Sequence, residues 1–459
     1  KINDFKLLNA LGVNAQRVFS TKNNSLAQQT IPYLFTYDGF YSFFLKQSKD
    51  QATESVKRGW VLGDMAKEEN VDSDKLDAAI HRYYYQDFIT SWDNLLDNLQ
   101  IKNMFNAQQA TEVLEFASNP DSPLRKLLEI LNKETSLTTP PPNSEGLLDK
   151  EAMKPLENRV QKLLYAAKST GLKGQLENPL GEIVEQHFYP LTSLVRGSDS
   201  VSAVPIDHTM AVLSRLYGYM LTLNTTSNAG VVAITKAKQS GSDAVTEIRM
   251  ESTHLPEPLK SMIQTLAGGN QNIIFSNSMS GLNQLWKTDV LPLYQLGIQG
   301  RYPFTKTSDK EVALDDFNRF FAPNGIVDNF FNTNLKVFVD TSGEIWHMIT
   351  QDNQSKSVSP EALTQIQSID KLRQLFFVDD GQKTLVKFNL KPLFLNSRAS
   401  SFWLNIEGQQ VKYTLNEDKK TAPFQWPGID GSRLVSFGFE TRDGKKIHKE
   451  VEGQWALFR

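Results

Sequence analysis

The sequence predicts an α+β multidomain protein that consists mainly of α-helical bundles and ends in a small C-terminal antiparallel β-sandwich. Two patterns predict this class. Apolar residues recur at spacings of three and four over most of the first 380 residues, as they do in amphipathic helices. Near Gly381 the period changes to two, which is typical of half-buried strands. A chain of 459 residues also exceeds one ordinary core, so we expect several domains.

Residues 1–135 are predicted to form a helical domain. Its clearest helix runs from Ser73 to about Lys102, where large apolar side chains recur every three or four residues. This stripe comprises Leu76, Ile80, Tyr83 or Tyr84, Phe88, Trp92, Leu95 and Leu99. Residues 136–147 are predicted to be a linker or a mobile loop, because the run from Pro140 to Pro142 forbids helix.

The region 148–380 is predicted to be helical again, with a break near residue 300 that would divide it into two subdomains. We expect helices to resume from Leu148 with one over 148–164, where residues 156, 160, 163 and 164 share one apolar face, to restart over 179–185, and to form again over 205–223 and 359–377. A turn is expected at Gly268-Gly269-Asn270, because paired glycines are typical of turns.

Residues 315–340 contain two Phe pairs on either side of a turn, and we call them the Phe-pair segment. We expect the turn at Pro323-Asn324-Gly325, with Gly325 in the positive-φ conformation. The two helical pieces would then fold back on each other as a packed joint. The structural motif is predicted to comprise Phe320, Phe321, Pro323, Gly325, Phe330 and Phe331.

Residues 381–459 are predicted to form the β-sandwich domain. Alternating apolar residues indicate strands near 385–390, 402–406, 411–415 and 435–439, and Glu407-Gly408 is predicted to close a hairpin. This domain holds 13 Lys and Arg residues against 8 Asp and Glu residues, a local charge of +5. Such a basic surface suits an acidic partner, although a solvated face would look the same.

The composition argues against several classes of function. A net charge of −3 gives no electrostatic basis for nucleic-acid binding, and no run approaches the ~20 apolar residues of a membrane segment. The six histidines lack metal-site spacing and there are no cysteines. Gly444-Lys445-Lys446 lies between strands and lacks the spacing of a phosphate-binding loop. We therefore expect no catalytic, cofactor-binding or metal-binding residues, no cofactor and no enzyme activity.

The ends of the chain indicate a piece of a longer protein. It begins with Lys1 rather than Met and shows no signal-peptide core, and it stops on an apolar run without a terminator. We therefore expect further chain before Lys1; the apolar end suggests more chain beyond Arg459 as well, a question that the sequence alone leaves open. A free-standing helical binding protein is the less favoured alternative.

Six short motifs in the same order along the chain resemble the periplasmic C-terminal region of the IcmF/TssM family. They are residues 31–40 (IPYLFTYDGF), 84–92 (YYQDFITSW), 301–304 (RYPF), 320–340 (FFAPNGIVDNFFNTNLKVFVD), 424–428 (FQWPG) and 455–459 (WALFR). The family consists of inner-membrane proteins of type VI secretion systems and of the related Dot/Icm type IVB systems. The motifs do not decide between the two branches.

The resemblance implies the periplasmic portion of a secretion-system scaffold, with membrane helices and a cytoplasmic part upstream. It implies that the C-terminal β-domain docks an outer-membrane lipoprotein or an equivalent secretion-complex subunit. A small inner-membrane protein of the TssL/DotU type would join through the upstream part, and self-association stays open. The nucleotide-binding motif of some members would also lie upstream.

We expect the partner to contact the loops around Lys419 and 424–428, where exposed charge adjoins a Trp-Pro-Gly corner. The predicted contact residues are Lys419, Lys420, Phe424, Trp426, Pro427 and Gly428, although burial in the core is the stronger expectation for Trp426.

The alternative function is a periplasmic hydrolase acting on peptidoglycan, which would need convergent carboxylates in a cleft. The acidic pairs at Asp315-Asp316 and Asp379-Asp380 could contribute them, but helix capping and a turn explain both pairs as well.

Overall fold

The computed structural model describes residues 4–23, 25–45, 73–141, 180–197, 203–238, 244–349, 358–378 and 381–459. The chain divides into two compact units, Lys1–Ser227 with Ser240–Ile274 and Asn228–Gln239 with Phe275–Arg459. The predicted fold class is confirmed, since a largely helical region is followed by antiparallel strands. Most of the predicted linker and the helix expected over 148–164 lie outside the described residues. No described helix has the length and apolar character needed to cross a bilayer.

In its described residues, the first unit is built from helices and two small strand pairs. Its helices are Leu7–Leu11, Ala15–Val18, Tyr37–Gly39, Ser73–Asn98, Ala107–Ala117, Pro123–Thr135, Glu182–Thr192, Ile206–Thr225, Ala244–Thr253 and the part of Leu259–Leu285 up to residue 274. A π-helical turn, Phe40–Phe44, follows Gly39. Strand β1 (Phe5–Lys6) pairs with β3 (Thr30–Ile31), and β2 (Phe19–Thr21) pairs with β4 (Leu99–Ile101).

The predicted long helix is confirmed as Ser73–Asn98, and its buried stripe resolves the choice between two tyrosines. Tyr84 is buried and Tyr83 is 59% exposed. The same helix fixes the 31–40 motif through hydrogen bonds to backbone carbonyls. The Tyr84 hydroxyl donates to the Leu34 oxygen at 2.6 Å, and the Trp92 indole N–H donates to the Phe35 oxygen at 2.9 Å. These two motifs of the sequence are therefore parts of one packing arrangement.

The turn expected at Gly268-Gly269-Asn270 is wrong, because these residues lie inside the helix Leu259–Leu285. A Cβ at Gly269 would lie 2.8 Å from Cε of Met104, which is the end of a flexible side chain. Asn270 is fully buried, and its side-chain amide donates to the Leu266 oxygen at 2.7 Å. Tertiary contacts thus override the local preference of the glycine pair.

The second unit begins with helices and ends with the β-sandwich domain. Its helices are Ala229–Lys238, the remainder of Leu259–Leu285, Leu291–Leu293, Leu314–Phe321, Ile326–Phe330 and Pro360–Phe376, with π-helical turns at Trp286–Val290, Tyr294–Ile298 and Phe331–Leu335. A short antiparallel pair joins β5 (Val339–Asp340) to β6 (His347–Met348).

Six strands form the two sheets of the β-sandwich domain. They are β7 (Val386–Leu390), β8 (Ala399–Ile406), β9 (Gln409–Thr414), β10 (Ala422–Trp426), β11 (Leu434–Thr441) and β12 (Lys446–Glu452). One sheet has the order β12-β11-β8-β9, and the other contains β10 and β7 alone. All pairs are antiparallel. The predicted hairpin at Glu407-Gly408 is confirmed, and both residues have positive φ, 49° and 85°.

Candidate functional site

The Phe-pair segment forms a buried joint in the second unit. Phe317, Phe320 and Phe321 are all at most 4% exposed, because they share the inner face of the helix Leu314–Phe321. Phe330 and Phe331 follow the turn and are buried in the same apolar core. These aromatic side chains lie where they can stabilise packing rather than meet a substrate.

One detail of the predicted turn is wrong. The positive φ of 57° belongs to Asn324, whereas Gly325 has φ −70° and is extended. Gly325 is needed for another reason, since a Cβ there would lie only 2.7 Å from the Ala322 oxygen. Asparagine tolerates the left-handed region better than most residues, so the sequence Pro-Asn-Gly satisfies both requirements.

A buried aspartate ties this turn to the helix Pro360–Phe376. Oδ2 of Asp328 accepts a hydrogen bond from the Asn324 backbone N–H at 2.8 Å. Its Oδ1 lies 3.1 Å from Nη1 of Arg373, and both side chains are less than one-fifth exposed. The Arg373 Nε also donates to the Phe321 oxygen at 3.2 Å. The charge is thus buried together with its partner, as buried carboxylates require.

The same core continues into the β-sandwich domain through two tryptophans. Trp426, at the end of β10, and Trp455 are both 0% exposed, with ring centroids 5.0 Å apart. The Trp455 ring meets Phe317 edge-to-face at 5.0 Å, and Trp426 meets Phe376 at 6.1 Å. Trp426 and Trp455 therefore belong to the apolar core of the helices, while Ile406, Phe424, Val435 and Ala456 form a second cluster within the β-sandwich domain.

The last six residues, 454–459, return to the helical part of the second unit, and we call them the C-terminal strap. The Trp455 indole N–H donates to the Val312 oxygen at 2.7 Å, and the Leu314 backbone N–H donates to Oε1 of Gln454 at 2.8 Å. At the very end, the Arg459 guanidinium lies over the Tyr302 ring at 4.2 Å. Its Nε also bonds Oε1 of Glu311 at 3.0 Å.

The residues predicted to contact a partner occupy two different environments. Lys419 and Lys420 are exposed in the loop between β9 and β10. Nζ of Lys419 donates to the Leu393 oxygen at 2.7 Å, so this lysine lies beside the segment that follows β7. Leu393 itself is 77% exposed, and its neighbour Phe394 is 82% exposed.

The Trp-Pro-Gly corner lies inside the domain instead. Phe424 and Trp426 are buried, and Pro427 and Gly428 are half-buried. The Gly428 N–H donates to the carboxylate of Glu407, which is only 3% exposed. Burial raises the pKa of Glu407, an effect that the Gly428 N–H and the Trp426 side chain partly offset.

The register of the four-stranded sheet separates a polar face from an apolar face. Trp403 lies on the polar face, where its ring covers Gly438, and its neighbours there include Lys412 and His448. The apolar face carries Phe402, Leu404, Ile406, Val411, Tyr413, Val435, Phe437, Phe439, Ile447 and Val451, and it also carries two polar residues of the edge strands, Gln409 opposite Ile406 and Lys449 opposite Phe437.

The second sheet covers only part of this apolar face. Phe388 of β7 stacks on Phe424 of β10 at 5.9 Å, and both pack against the cluster containing Ile406 and Val435. Three large apolar side chains of β11 and β12 remain uncovered on this face, and we call them the open strip. They are Phe437 and Phe439, each 37% exposed, and Ile447, 53% exposed.

The open strip was not predicted from the sequence. The alternation of Val435, Phe437 and Phe439 correctly indicated a strand, but it does not tell how far the opposing sheet extends. The only available signal was the small number of predicted strands, which is too few to cover two complete faces.

The described residues contain no group of three or more His, Asp or Glu side chains arranged to hold a metal ion. The carboxyls with raised pKa, Glu134 and Glu407, each accept a backbone N–H, from Tyr37 and from Gly428. Asp315 and Asp316 lie in the first turn of a helix, as capping predicts.

Three profiles of one protein family match the chain in succession. The first, described as "IcmF-related: intracellular multiplication and human macrophage-killing", matches residues 1–136. The second, the type VI secretion protein IcmF helical domain, matches residues 277–382. The third, the type VI secretion protein IcmF C2-like domain, matches residues 388–459. The chain belongs to the IcmF/TssM family. The three matches include the regions of all six motifs that carry the resemblance, from IPYLFTYDGF to WALFR.

A curated IcmF/TssM relative is the type VI secretion system component TssM1 of Pseudomonas aeruginosa. It is 28% identical over 464 residues, an alignment that covers 99% of this chain. The chain spans 41% of the length of that relative.

Two solved structures share the IcmF/TssM fold of this chain. A type VI secretion system membrane core complex superposes with a TM-score of 0.70 at 17% identity, covering 100% of this chain and 84% of the other. A type VI membrane complex gives a TM-score of 0.61 at 16% identity, with 93% and 84% covered.

Proposed function

We propose that this chain is a non-enzymatic structural part of a type VI secretion membrane complex. In this proposal it forms the periplasmic portion of an inner-membrane scaffold, and its C-terminal β-sandwich domain docks an outer-membrane lipoprotein. A small inner-membrane protein of the TssL/DotU type joins the complex through the upstream part of the full protein. Family membership and the similarity to type VI secretion proteins support the assignment to this complex.

The observation that carries the proposal is the shared core of the second unit. A scaffold must hold its docking domain in a fixed orientation relative to the segment that leads to it. Trp426 and Trp455 pack among aromatic residues of the helical part, such as Phe317 and Phe376, and do not form a separate core. A large shared apolar interface of this kind argues against free movement between domains.

The surface of the β-sandwich domain supports a role in protein binding. It combines the exposed lysines 419 and 420, the exposed Leu393-Phe394 pair and the open strip. Exposed apolar groups rimmed by charge are typical of interaction sites. We retain the predicted contact set, with the lysines as surface contacts and Phe424 to Gly428 as the buried support of that loop.

The test is retention of the outer-membrane lipoprotein of the same secretion system by the immobilised full chain. The double substitution Lys419→Glu with Lys420→Glu should weaken binding by roughly three- to tenfold, since each exposed ion pair contributes up to ~1 kcal/mol. The loss should shrink at higher salt, because exposed charges are screened.

A matched control reverses the charge of Lys306 and Lys310, two exposed lysines of the same unit that lie outside the β-sandwich domain. Their substitution by glutamate should leave retention unchanged. Docking through this domain would be contradicted if both double variants lost lipoprotein retention equally, or if the unaltered chain did not retain the lipoprotein.

A further inference from the structure

The β-sandwich domain lacks a strand in its smaller sheet. Strand β10 lies beside β9, because the Gln409 side chain bonds the Gln425 backbone O and N–H at 2.6 and 2.8 Å. Strand β7 comes next, and its Phe388 and Leu390 pack against the cluster that contains Ile406 of β8 and Val435 of β11. With strands about 4.8 Å apart, the position beyond β7 lies over β11 and β12. That is where the open strip is uncovered.

The outer edge of β7 presents backbone N–H and C=O groups that are not bonded to β10. The Leu385 N–H donates to the Phe376 oxygen at 2.8 Å and not to β10. Because N–H and C=O groups alternate in direction along a strand, Lys387 and Asn389 present theirs on that same outer side. Within the described residues, no strand pairs with this edge beyond the bridge between Phe377 and Leu385.

Side chains around this edge define what an added strand would meet. Its inward residues would face Phe437, Phe439 and Ile447, with Lys449 of the edge strand β12 beside them, so they should be mainly apolar. Its outward residues would lie beside Lys387 and near Lys391, both exposed, so carboxylates are favoured there. Two β7 edges paired with each other would bring like charges together, which disfavours a second copy of this chain.

We propose that β7 is an acceptor for strand addition by the docking partner, which supplies an extended segment of alternating apolar and acidic residues. The segment hydrogen-bonds the outer edge of β7 and covers the open strip in one step. Backbone bonds provide affinity, and the open strip selects apolar side chains at alternate positions. The inference rests on the proposed function in that it describes how the β-sandwich domain takes up its protein partner.

The test uses the full chain and a capped, fluorescently labelled seven-residue peptide of alternating glutamate and valine. We expect saturable binding in fluorescence anisotropy and slowed amide exchange in residues 386–390 of the unaltered chain. Asn389→Pro removes an outward N–H while leaving the bonds to β10, and it should weaken binding about tenfold or more. Phe439→Glu should have a similar effect, because it places a charge against the valine face of the peptide.

Lys412→Pro is the matched control, since its N–H also points outward, from the edge of β9. The Leu415 N–H donates inward to the Ser400 oxygen at 2.9 Å, so Lys412, three residues earlier, faces the opposite way. This variant should bind the peptide within twofold of the unaltered chain. The unfolding midpoint of each variant verifies that it is folded.

Three outcomes would overturn the inference: no saturable binding, equal affinity in Asn389→Pro and the unaltered chain, or a self-association that Phe439→Glu abolishes. The last would identify a second copy as the occupant. If the lipoprotein is retained but the peptide results fail, the inference fails and the proposed function stands. If the peptide binds as expected but the lipoprotein is not retained, the proposed function fails.

Discussion

At the scale of single residues, Glu407 shows how the two sheets of the β-sandwich domain are held together. It opens the β8–β9 hairpin in a left-handed conformation and directs its carboxylate to the Gly428 N–H at the end of β10. Asp430 adds a nearby like charge. The hydrogen bond between Glu407 and Gly428 links the β8–β9 hairpin to the end of β10, but it holds the carboxylate charge of Glu407 in a poorly solvated place.

The raised pKa of Glu407 predicts a pH-dependent stability. A carboxyl whose folded pKa exceeds its unfolded pKa stabilises the protein only at low pH, and this contribution is lost as pH rises through the folded value. Glu407→Gln has no such titration. The stability of the variant relative to the unaltered chain should therefore increase from pH 4 to pH 8, measured by urea unfolding.

Glu450→Gln serves as the control for net charge, because Glu450 is exposed on β12 and carries the same charge. The pH-dependent stability that is due to Glu407 is the difference between the unfolding free energies of Glu407→Gln and Glu450→Gln, each measured over the same pH range. A relative stability of Glu407→Gln that falls as pH rises would have the wrong sign and would contradict the raised pKa.

At the scale of elements, two helices of the second unit meet backbone to backbone. Gly281, in Leu259–Leu285, faces Gly230, in Ala229–Lys238, and a Cβ on Gly281 would lie 2.5 Å from the Gly230 carbonyl carbon. Neither backbone can yield as a flexible side chain would. The close approach therefore depends on the absence of side chains at both positions.

Substitution by alanine should change the stability of the chain in opposite directions at two glycines of the helix Leu259–Leu285. Gly281→Ala should destabilise the chain by about 1–3 kcal/mol, because the added methyl overpacks the crossing. Gly268→Ala should stabilise it by roughly 0.5–1 kcal/mol, because nothing lies within 4 Å and alanine favours helix. Equilibrium unfolding in urea measures both. A stabilising effect of Gly281→Ala would disprove the close contact.

The same elements show what the sequence could and could not predict. The long helix from Ser73 and the β8–β9 hairpin follow from local patterns, and both are present. The glycines at 268 and 269 failed as a turn signal, because the helix Leu259–Leu285 buries Leu266 and Asn270 on either side of them, and this burial outweighs the weak helix-breaking preference of glycine. The open strip could not be predicted because alternation reveals two faces of a strand but not what covers them.

At the scale of the whole molecule, the boundaries at residues 135, 147 and 380 stay predictions. The boundary near 380 would cut a continuous aromatic core, since Trp426 and Trp455 pack with Phe317 and Phe376. Segment 381–459 on its own would expose those rings. Binding experiments on the docking surface therefore require the full chain, as designed above.

Loss of one ring of this core should weaken helices and strands together. Trp455→Ala should cost about 3–5 kcal/mol, because a fully buried ring and its hydrogen bond to Val312 are lost. Amide exchange should accelerate both in the helix Leu314–Phe321 and in β10. Phe458→Ala, at a 42% exposed position, is the milder control and should cost less than ~2 kcal/mol. Faster exchange confined to residues 381–459 would contradict a shared core.

The C-terminal strap limits how the β-sandwich domain can rotate against the helical part of the second unit. The chain enters the β-sandwich domain once, after the helix Pro360–Phe376, and a single connection would act as a swivel. The return of residues 454–459 to Glu311 and Val312 adds a second point of attachment, 143 residues apart in sequence at the Trp455–Val312 bond. A body held at two points resists rotation about either one. A partner that twists the β-sandwich domain therefore turns the helical part of the second unit with it.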